Sequence, residues 1–184
     1  KIFFDNDMTR TLLSCKDIQQ SIYCVPDGIR TCCQRFFVDG KIKGDVSLVS
    51  LNEERNIGYN EIKNAKRSLR EGINNGTDDR CTGCPLLRRA DWPEIEHEKV
   101  GTISIENHSV CNMRCTYCSE TYYGGVKPKY NLEFLLADMP EVSRDLHIAW
   151  GGGEPTLGNE FERLFTIVNK KYIPKTQRVF SNAL

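Results

Sequence analysis

Nine cysteines are the residues of this 184-residue chain most able to do chemistry, and they fall into three groups. The third group, Cys111, Cys115 and Cys118, places three thiols close together in the sequence. Thiols so close wrap a single centre, and a closed structural zinc site would need a fourth ligand. Three local ligands therefore indicate a centre with an open coordination position, as in a four-iron cluster held by three cysteines. His108 precedes the group and is available as a fourth ligand, but we interpret it as a structural residue.

The composition favours metal binding over disulfides for these cysteines. An odd number of cysteines cannot pair completely, and the N-terminal residues lack the apolar segment typical of an export signal. Thiols stay reduced in the cytosol. We therefore expect a cytoplasmic protein whose cysteines bind metal.

The residues around the third cysteine group resemble the signature of the radical S-adenosylmethionine (radical SAM) enzymes. The spacing there is C-x3-C-x2-C, with an aromatic residue, Tyr117, before the last cysteine. The run GGEPT at 152–156 resembles that superfamily's GGEPT motif, and SNA at 181–183 resembles the TN[GA] run that ends the next strand. The resemblance covers residues 99–184. It implies an α/β fold in which these residues form the first three β/α units of a partial (β/α)6 barrel.

The same resemblance implies a binding site for S-adenosylmethionine (SAM) beside a [4Fe-4S] cluster. The unique iron would chelate SAM, and one electron would cleave it to methionine and a 5′-deoxyadenosyl radical that abstracts a substrate hydrogen. Glycine lets the backbone approach a ligand closely, so two glycines would offer carbonyls to the methionine ammonium. Glu154 would complete that pocket or orient the backbone, and Tyr117 would pack against adenine. The implied cofactor-binding residues are Tyr117, Gly152, Gly153, Glu154, Pro155, Ser181 and Asn182. No catalytic general base is identified.

The first two cysteine groups resemble a SPASM or twitch cluster-binding module. Twelve residues separate Cys15 from Gly28 and four separate Gly28 from Cys33, which matches the opening C-x9–15-G-x4-C. The pair Cys81-x2-Cys84 resembles the later cysteines of such modules. The module implies a second, auxiliary [4Fe-4S] cluster that is fully ligated. Its ligands would be Cys15, Cys33, Cys81 and Cys84.

Two alternatives stay open for this module. Cys32 is an alternative ligand to Cys33, and zinc is an alternative to iron because C-x2-C suits either metal. The module also precedes the barrel, whereas it usually follows it, and it lacks the later cysteines of a full SPASM module. We interpret Cys24, in a predicted strand, as a small buried hydrophobic residue.

Predicted secondary structure explains how the chain could position these groups. Strands at 100–105, 146–150 and 178–180 alternate with two helices, a pattern typical of parallel β/α units. Before them, SIYCV, the turn PDG and IRTCC predict a hairpin, and apolar spacing predicts a helix over 60–73. Four basic residues are expected on the solvated face of that helix: Lys63, Lys66, Arg67 and Arg70. A boundary near residues 90 to 98 would divide a Cys-rich α+β module (1–92) from the barrel part (93–184).

The charge balance of the chain limits the kinds of partner that the sequence predicts. The 25 basic and 25 acidic residues balance, which predicts neither a nucleic-acid partner nor an anionic-membrane partner. We expect SAM, a reductant such as flavodoxin or ferredoxin, and by analogy a peptide substrate. The alternatives are an activase that installs a radical on a partner protein and a non-enzymatic iron-sulfur or zinc module for binding or electron transfer. Because three strands cannot close a barrel, we expect these residues to be the front part of a longer enzyme.

Overall fold

The computed structural model describes residues 10–118, 124–139, 142–157 and 159–183. Within these ranges the helices are α1 (Lys16–Gln20), α2 (Tyr59–Asn75), α3 (Leu132–Asp138) and α4 (Asn159–Tyr172). The strands are β1 (Arg10–Ser14), β2 (Ser21–Val25), β3 (Gly28–Arg30), β4 (Arg35–Val38), β5 (Lys41–Gly44), β6 (Ser47–Ser50), β7 (Arg88–Trp92), β8 (Val100–Ile105), β9 (Val142–Trp150) and β10 (Thr176–Val179). Among the described helices, none is long and apolar enough to cross a membrane.

A six-stranded mixed sheet organises the chain, in the order β10-β9-β8-β2-β3-β6. Strands β8, β9 and β10 are parallel, which confirms the order of parallel strands expected from the sequence. Strand β2 also pairs in parallel with β8, so the sheet includes strands from both sides of the predicted boundary near residues 90 to 98. That boundary stays a prediction. The described residues form an α/β structure with an open mixed sheet, and no barrel is detected among them.

The main core lies between one face of this sheet and the helices α2, α3 and α4. Alternate residues of β9 point into it, because successive side chains of a strand face opposite sides. The last of them, Trp150, is fully buried and packs edge-on against Phe161 of α4, with ring centroids 5.3 Å apart. This packing holds the carboxyl end of β9 in place, directly before the glycine run at 151–153.

Helix α2 is confirmed and slightly longer than predicted. It ends at Gly76, whose φ of 78° is the left-handed conformation that glycine adopts most readily at a helix end. The expectation of a solvated basic face is wrong for Lys66 and Arg70, which are only 3% and 4% exposed. Lys66 follows Ile62 by four residues and precedes Leu69 by three, so it lies on the apolar stripe itself.

The β2–β3 hairpin is confirmed, although β3 ends at Arg30, before the two adjacent cysteines. Cys24 is 1% exposed in the main core, which confirms its interpretation as a buried residue. The sequence analysis missed the antiparallel pair β1–β7 and the β4–β5 hairpin. The β1–β7 pair matters for the cysteines, because it places Ser14, the residue before Cys15, opposite Arg88.

Candidate functional site

The three-cysteine loop begins a few residues after the end of β8. The amide of Cys118 donates to the carbonyl of Cys115 at 2.9 Å, which closes a turn. The amide of Met113 donates to Sγ of Cys111 at 3.4 Å, so this thiol already accepts a backbone hydrogen bond. Slight burial and the charges of Cys115 and Cys111 raise the pKa of the Cys118 thiol. Binding of a cationic metal centre would favour the deprotonated thiolate form of the three cysteines.

The glycine run after β9 lies against the segment that leads into this loop. The amide of Gly153 donates to the carbonyl of His108 at 3.0 Å, and that of Glu154 donates to the carbonyl of Val110 at 2.8 Å. A Cβ on Gly153 would lie 2.1 Å from the carbonyl oxygen of Val110. A Cβ on Gly152, whose φ is +93°, would lie 2.5 Å from that of His108. Both glycines are therefore required by close packing of backbone on backbone.

Glu154 joins this glycine run to the end of β10. Its side chain accepts hydrogen bonds from the amide and hydroxyl of Thr156 at 3.1 and 2.5 Å and from the amide of Asn182 at 2.7 Å. Burial raises the pKa of the carboxyl group, but the hydrogen bonds from Thr156 and Asn182 outweigh it and hold the pKa below its usual value. Of the two roles expected for Glu154, the contacts fit orienting the backbone.

The end of β10 also contacts the cysteine loop directly. Nδ2 of Asn182 donates to Oδ1 of Asn112 at 2.7 Å, immediately beside Cys111. Oγ of Ser181 accepts from the amide of Ala183 at 2.9 Å, which shapes the turn after the strand. The three segments singled out in the sequence, 111–118, 152–156 and 181–183, are thus connected by hydrogen bonds.

The remaining residues near the loop have less constrained surroundings. Tyr117 is 90% exposed, so its aromatic ring presents a free face beside the cysteines. Pro155 is buried and lines a cavity of about 400 Å³ together with His108 and Trp150. Burial lowers the pKa of His108, and its carbonyl holds Gly153, which fits the structural role expected for this residue.

Four of the other cysteines line one small cavity. They are Cys15, Cys32, Cys81 and Cys84. The pairing of β1 with β7 brings Cys15 towards Cys81 and Cys84, because Ser14, just before Cys15, lies opposite Arg88, a few residues after Cys84. Burial, followed by the charges of Cys15, Cys32 and Cys84, raises the pKa of the Cys81 thiol to about 12, as expected when thiols crowd together.

Cys33 does not line this cavity and is exposed. Of the two adjacent residues Cys32 and Cys33, only Cys32 lies with the other three thiols. The structure brings Cys32, the alternative ligand to Cys33, to the cavity. Sequence spacing did not identify it, because the count from Gly28 to Cys33 fits the motif better.

The sulfurs are not arranged around a single ion. All nine cysteines lie within the described residues and are free thiols. In that part of the chain, no three His, Cys, Asp or Glu side chains are placed to hold one metal ion. A zinc ion would draw its four sulfurs within about 2.3 Å of one point. A four-iron cube binds each sulfur through a different iron and so holds its ligands farther apart.

Among curated proteins, a GTP 3′,8-cyclase from Photorhabdus laumondii subsp. laumondii is 36% identical to this chain over 80 residues. The matched segment is 40% of this chain and 24% of that enzyme, so the chain spans about a quarter of the relative it matches. No family model matches the chain. No solved structure matches it either. The cyclase is a radical SAM enzyme, and this partial match supports a relation to that superfamily.

Proposed function

We propose that this chain contains the cluster-binding and SAM-binding part of a radical SAM enzyme. The observation that carries the proposal is the hydrogen-bonded connection of the three signature segments through Asn112, Glu154 and Asn182. Because β8, β9 and β10 are adjacent parallel strands, the segments that follow them meet at one edge of the sheet. In this proposal β8, β9 and β10 are the first parallel strands of a (β/α)6 barrel.

Three thiols, Cys111, Cys115 and Cys118, would hold three irons of a [4Fe-4S] cluster and leave the fourth open. When bound, the cluster and SAM supply the electron and the 5′-deoxyadenosyl radical for hydrogen abstraction from a substrate. The donor set fits this group, since it is all thiol, partly exposed and one ligand short of closure.

The protein residues bind and orient the cofactor. The backbone of Gly152 and Gly153 packs closely against residues 106–110, before Cys111. In this proposal the carbonyls of the two glycines bind the ammonium group of SAM. The hydrogen bonds of Glu154 with Thr156 and Asn182 hold this turn in place. The exposed aromatic ring of Tyr117 is free to pack against adenine in this proposal. Further contacts to SAM in this proposal come from Pro155, Ser181 and Asn182.

An auxiliary [4Fe-4S] cluster at the N-terminal cavity completes the proposal. Its ligands are Cys15, Cys81, Cys84 and Cys32, the last replacing Cys33 of the spacing-based expectation. This cluster is the SPASM- or twitch-like element, and residues 1–92 and 93–184 are proposed as the two modules. The proposed substrate is a peptide, the reductant is a flavodoxin or ferredoxin, and the proposed location is the cytoplasm.

The test is product analysis on the whole protein. After anaerobic reconstitution, SAM and dithionite are added and 5′-deoxyadenosine is measured beside iron and sulfide content. We expect release of 5′-deoxyadenosine and roughly eight irons per chain, four for each of two cubes. The variant Cys111→Ala/Cys115→Ala/Cys118→Ala should retain about half the iron and release none. Release by this variant, or zinc in place of iron, would contradict the proposal.

A further inference from the structure

A lysine is buried against α1, the helix whose N-cap residue, Cys15, lines the N-terminal cysteine cavity. Lys66 of α2 is 3% exposed, and its ammonium donates to the carbonyl of Gln19, at the end of α1, at 3.4 Å. Burying a cation is costly unless an opposite charge compensates it. The long hydrogen bond to a carbonyl offsets only part of that cost, and the rest depends on nearby negative groups.

Three groups act on the Lys66 ammonium, and two of them, Asp17 and Cys15, line the cavity. Asp17 lies in α1 and Cys15 is its N-cap, whereas the third group, Glu98, follows the 3-10 helix Ile95–His97. Burial lowers the pKa of the Lys66 ammonium to about 7, against the opposing effect of these groups. A neutral thiol at Cys15 gives the ammonium little stabilisation. A bound cluster would carry a net negative charge, because its four thiolate ligands outweigh the positive charge of the iron-sulfur core. It would therefore stabilise the Lys66 ammonium.

The cysteines and the lysine also share one apolar environment. Cys15 and Cys81 belong to the second buried cluster, together with Ile18, Leu69 and Ile95. Leu69 lies one turn after Lys66 on α2, and Ile18 immediately precedes Gln19, whose carbonyl accepts the hydrogen bond from Lys66. Charges interact more strongly through such a medium than through water.

We infer that Lys66 is a built-in counter-ion of the auxiliary cluster, which raises the reduction potential of that cluster. The inference rests on the proposed function. Reduction adds one electron to the cluster, so the reduced state carries one more negative charge than the oxidised state. A fixed cation nearby stabilises the reduced state more than the oxidised state. Lys66 thus acts on the cluster through its charge and does not ligate iron.

The test is a potentiometric titration of the auxiliary cluster with dithionite, followed by electron paramagnetic resonance. The whole protein is used in the Cys111→Ala/Cys115→Ala/Cys118→Ala background, so that only one cluster contributes. Lys66→Met removes the charge and keeps the length of the side chain. Lys16→Met is the matched control, because Lys16 adjoins Cys15 in the sequence but is exposed to solvent.

We expect Lys66→Met to shift the midpoint potential to more negative values, Lys66→Arg to stay close to the parent, and Lys16→Met to shift it less. An unchanged potential in Lys66→Met at full iron content would overturn the inference, as would equal shifts in the two methionine variants. If Lys66→Met loses its iron, Lys66→Gln, which can still donate to Gln19, is titrated instead. A parent protein that binds zinc or no metal at this cavity overturns the auxiliary cluster itself, a result distinct from an unchanged potential.

Discussion

The side-chain carboxylate of Glu154 accepts a hydrogen bond of 2.7 Å from the backbone amide of Asn182, 28 residues later in the chain. The same carboxylate accepts from both the amide and the hydroxyl of Thr156. One buried side chain therefore fixes the turn after β9 to the turn after β10. Any ligand that lies on both turns depends on this carboxylate for its geometry.

Replacing this carboxylate by an amide should destabilise the protein. Glu154→Gln keeps the shape of the side chain but substitutes an NH₂ group for one acceptor, which leaves a buried donor unsatisfied. We expect a loss of about 1–3 kcal/mol in the free energy of unfolding, measured by urea denaturation. Glu162→Gln, on the exposed face of α4, is the control and should change stability by less than about 0.5 kcal/mol. Equal losses in the two variants would show that the Glu154 contacts contribute nothing special.

The stabilisation from Glu154 should depend on pH. Its pKa in the folded protein lies below the ordinary value of 4.5, so the unfolded state takes up a proton first as the pH falls. The contribution is therefore fully present above pH 4.5 and is lost as the pH falls below it through the folded pKa. We expect the stability difference between the parent and Glu154→Gln to shrink on acidification. A difference that stays constant or grows in acid would be inconsistent with this assignment.

Packing of the glycine run gives a third prediction. Gly153→Ala would place a Cβ 2.1 Å from the carbonyl oxygen of Val110, and backbone atoms cannot move aside easily. We expect a loss of at least about 1–3 kcal/mol, together with weaker cluster binding, because the displaced segment leads into Cys111. Gly151→Ala is the matched control, since its Cβ would meet only the flexible Glu106 side chain at 3.4 Å. Unfolding curves and iron content measure both effects, and similar behaviour of the two variants would argue against the close-packing argument.

The two adjacent cysteines should separate cleanly in metal binding. Cys32 lines the cavity with Cys15, Cys81 and Cys84, whereas Cys33 is exposed. In the Cys111→Ala/Cys115→Ala/Cys118→Ala background, Cys32→Ser should lose most of the iron, and Cys33→Ser should retain it. The reverse result would restore the ligand set that sequence spacing favours.

Strands β8 and β9 were predictable from sequence because each contains an apolar run that ends at a chemically distinctive loop, whereas β10 (TQRV) has one apolar residue and was predicted to begin two residues too late. The ligand choice between Cys32 and Cys33 was not predictable, because a register of one residue reverses which side chain faces inward. The β1–β7 pair was missed for a different reason, since both strands are short and their paired residues lie 74 to 82 positions apart in the chain. The burial of Lys66 could have been predicted from the sequence. Its position between Ile62 and Leu69 is that of an apolar residue, and a cation there implies a nearby negative group.

The central claim is that Cys111, Cys115 and Cys118 hold a four-iron cluster whose open iron binds SAM. Its most direct test is the electron paramagnetic resonance spectrum of the reduced whole protein with and without SAM. The Cys81→Ala variant is used, so that the auxiliary cluster does not contribute. We expect one cluster signal whose g values change when SAM is added. A signal that SAM leaves unchanged, or a protein that holds zinc at these cysteines, would contradict the claim.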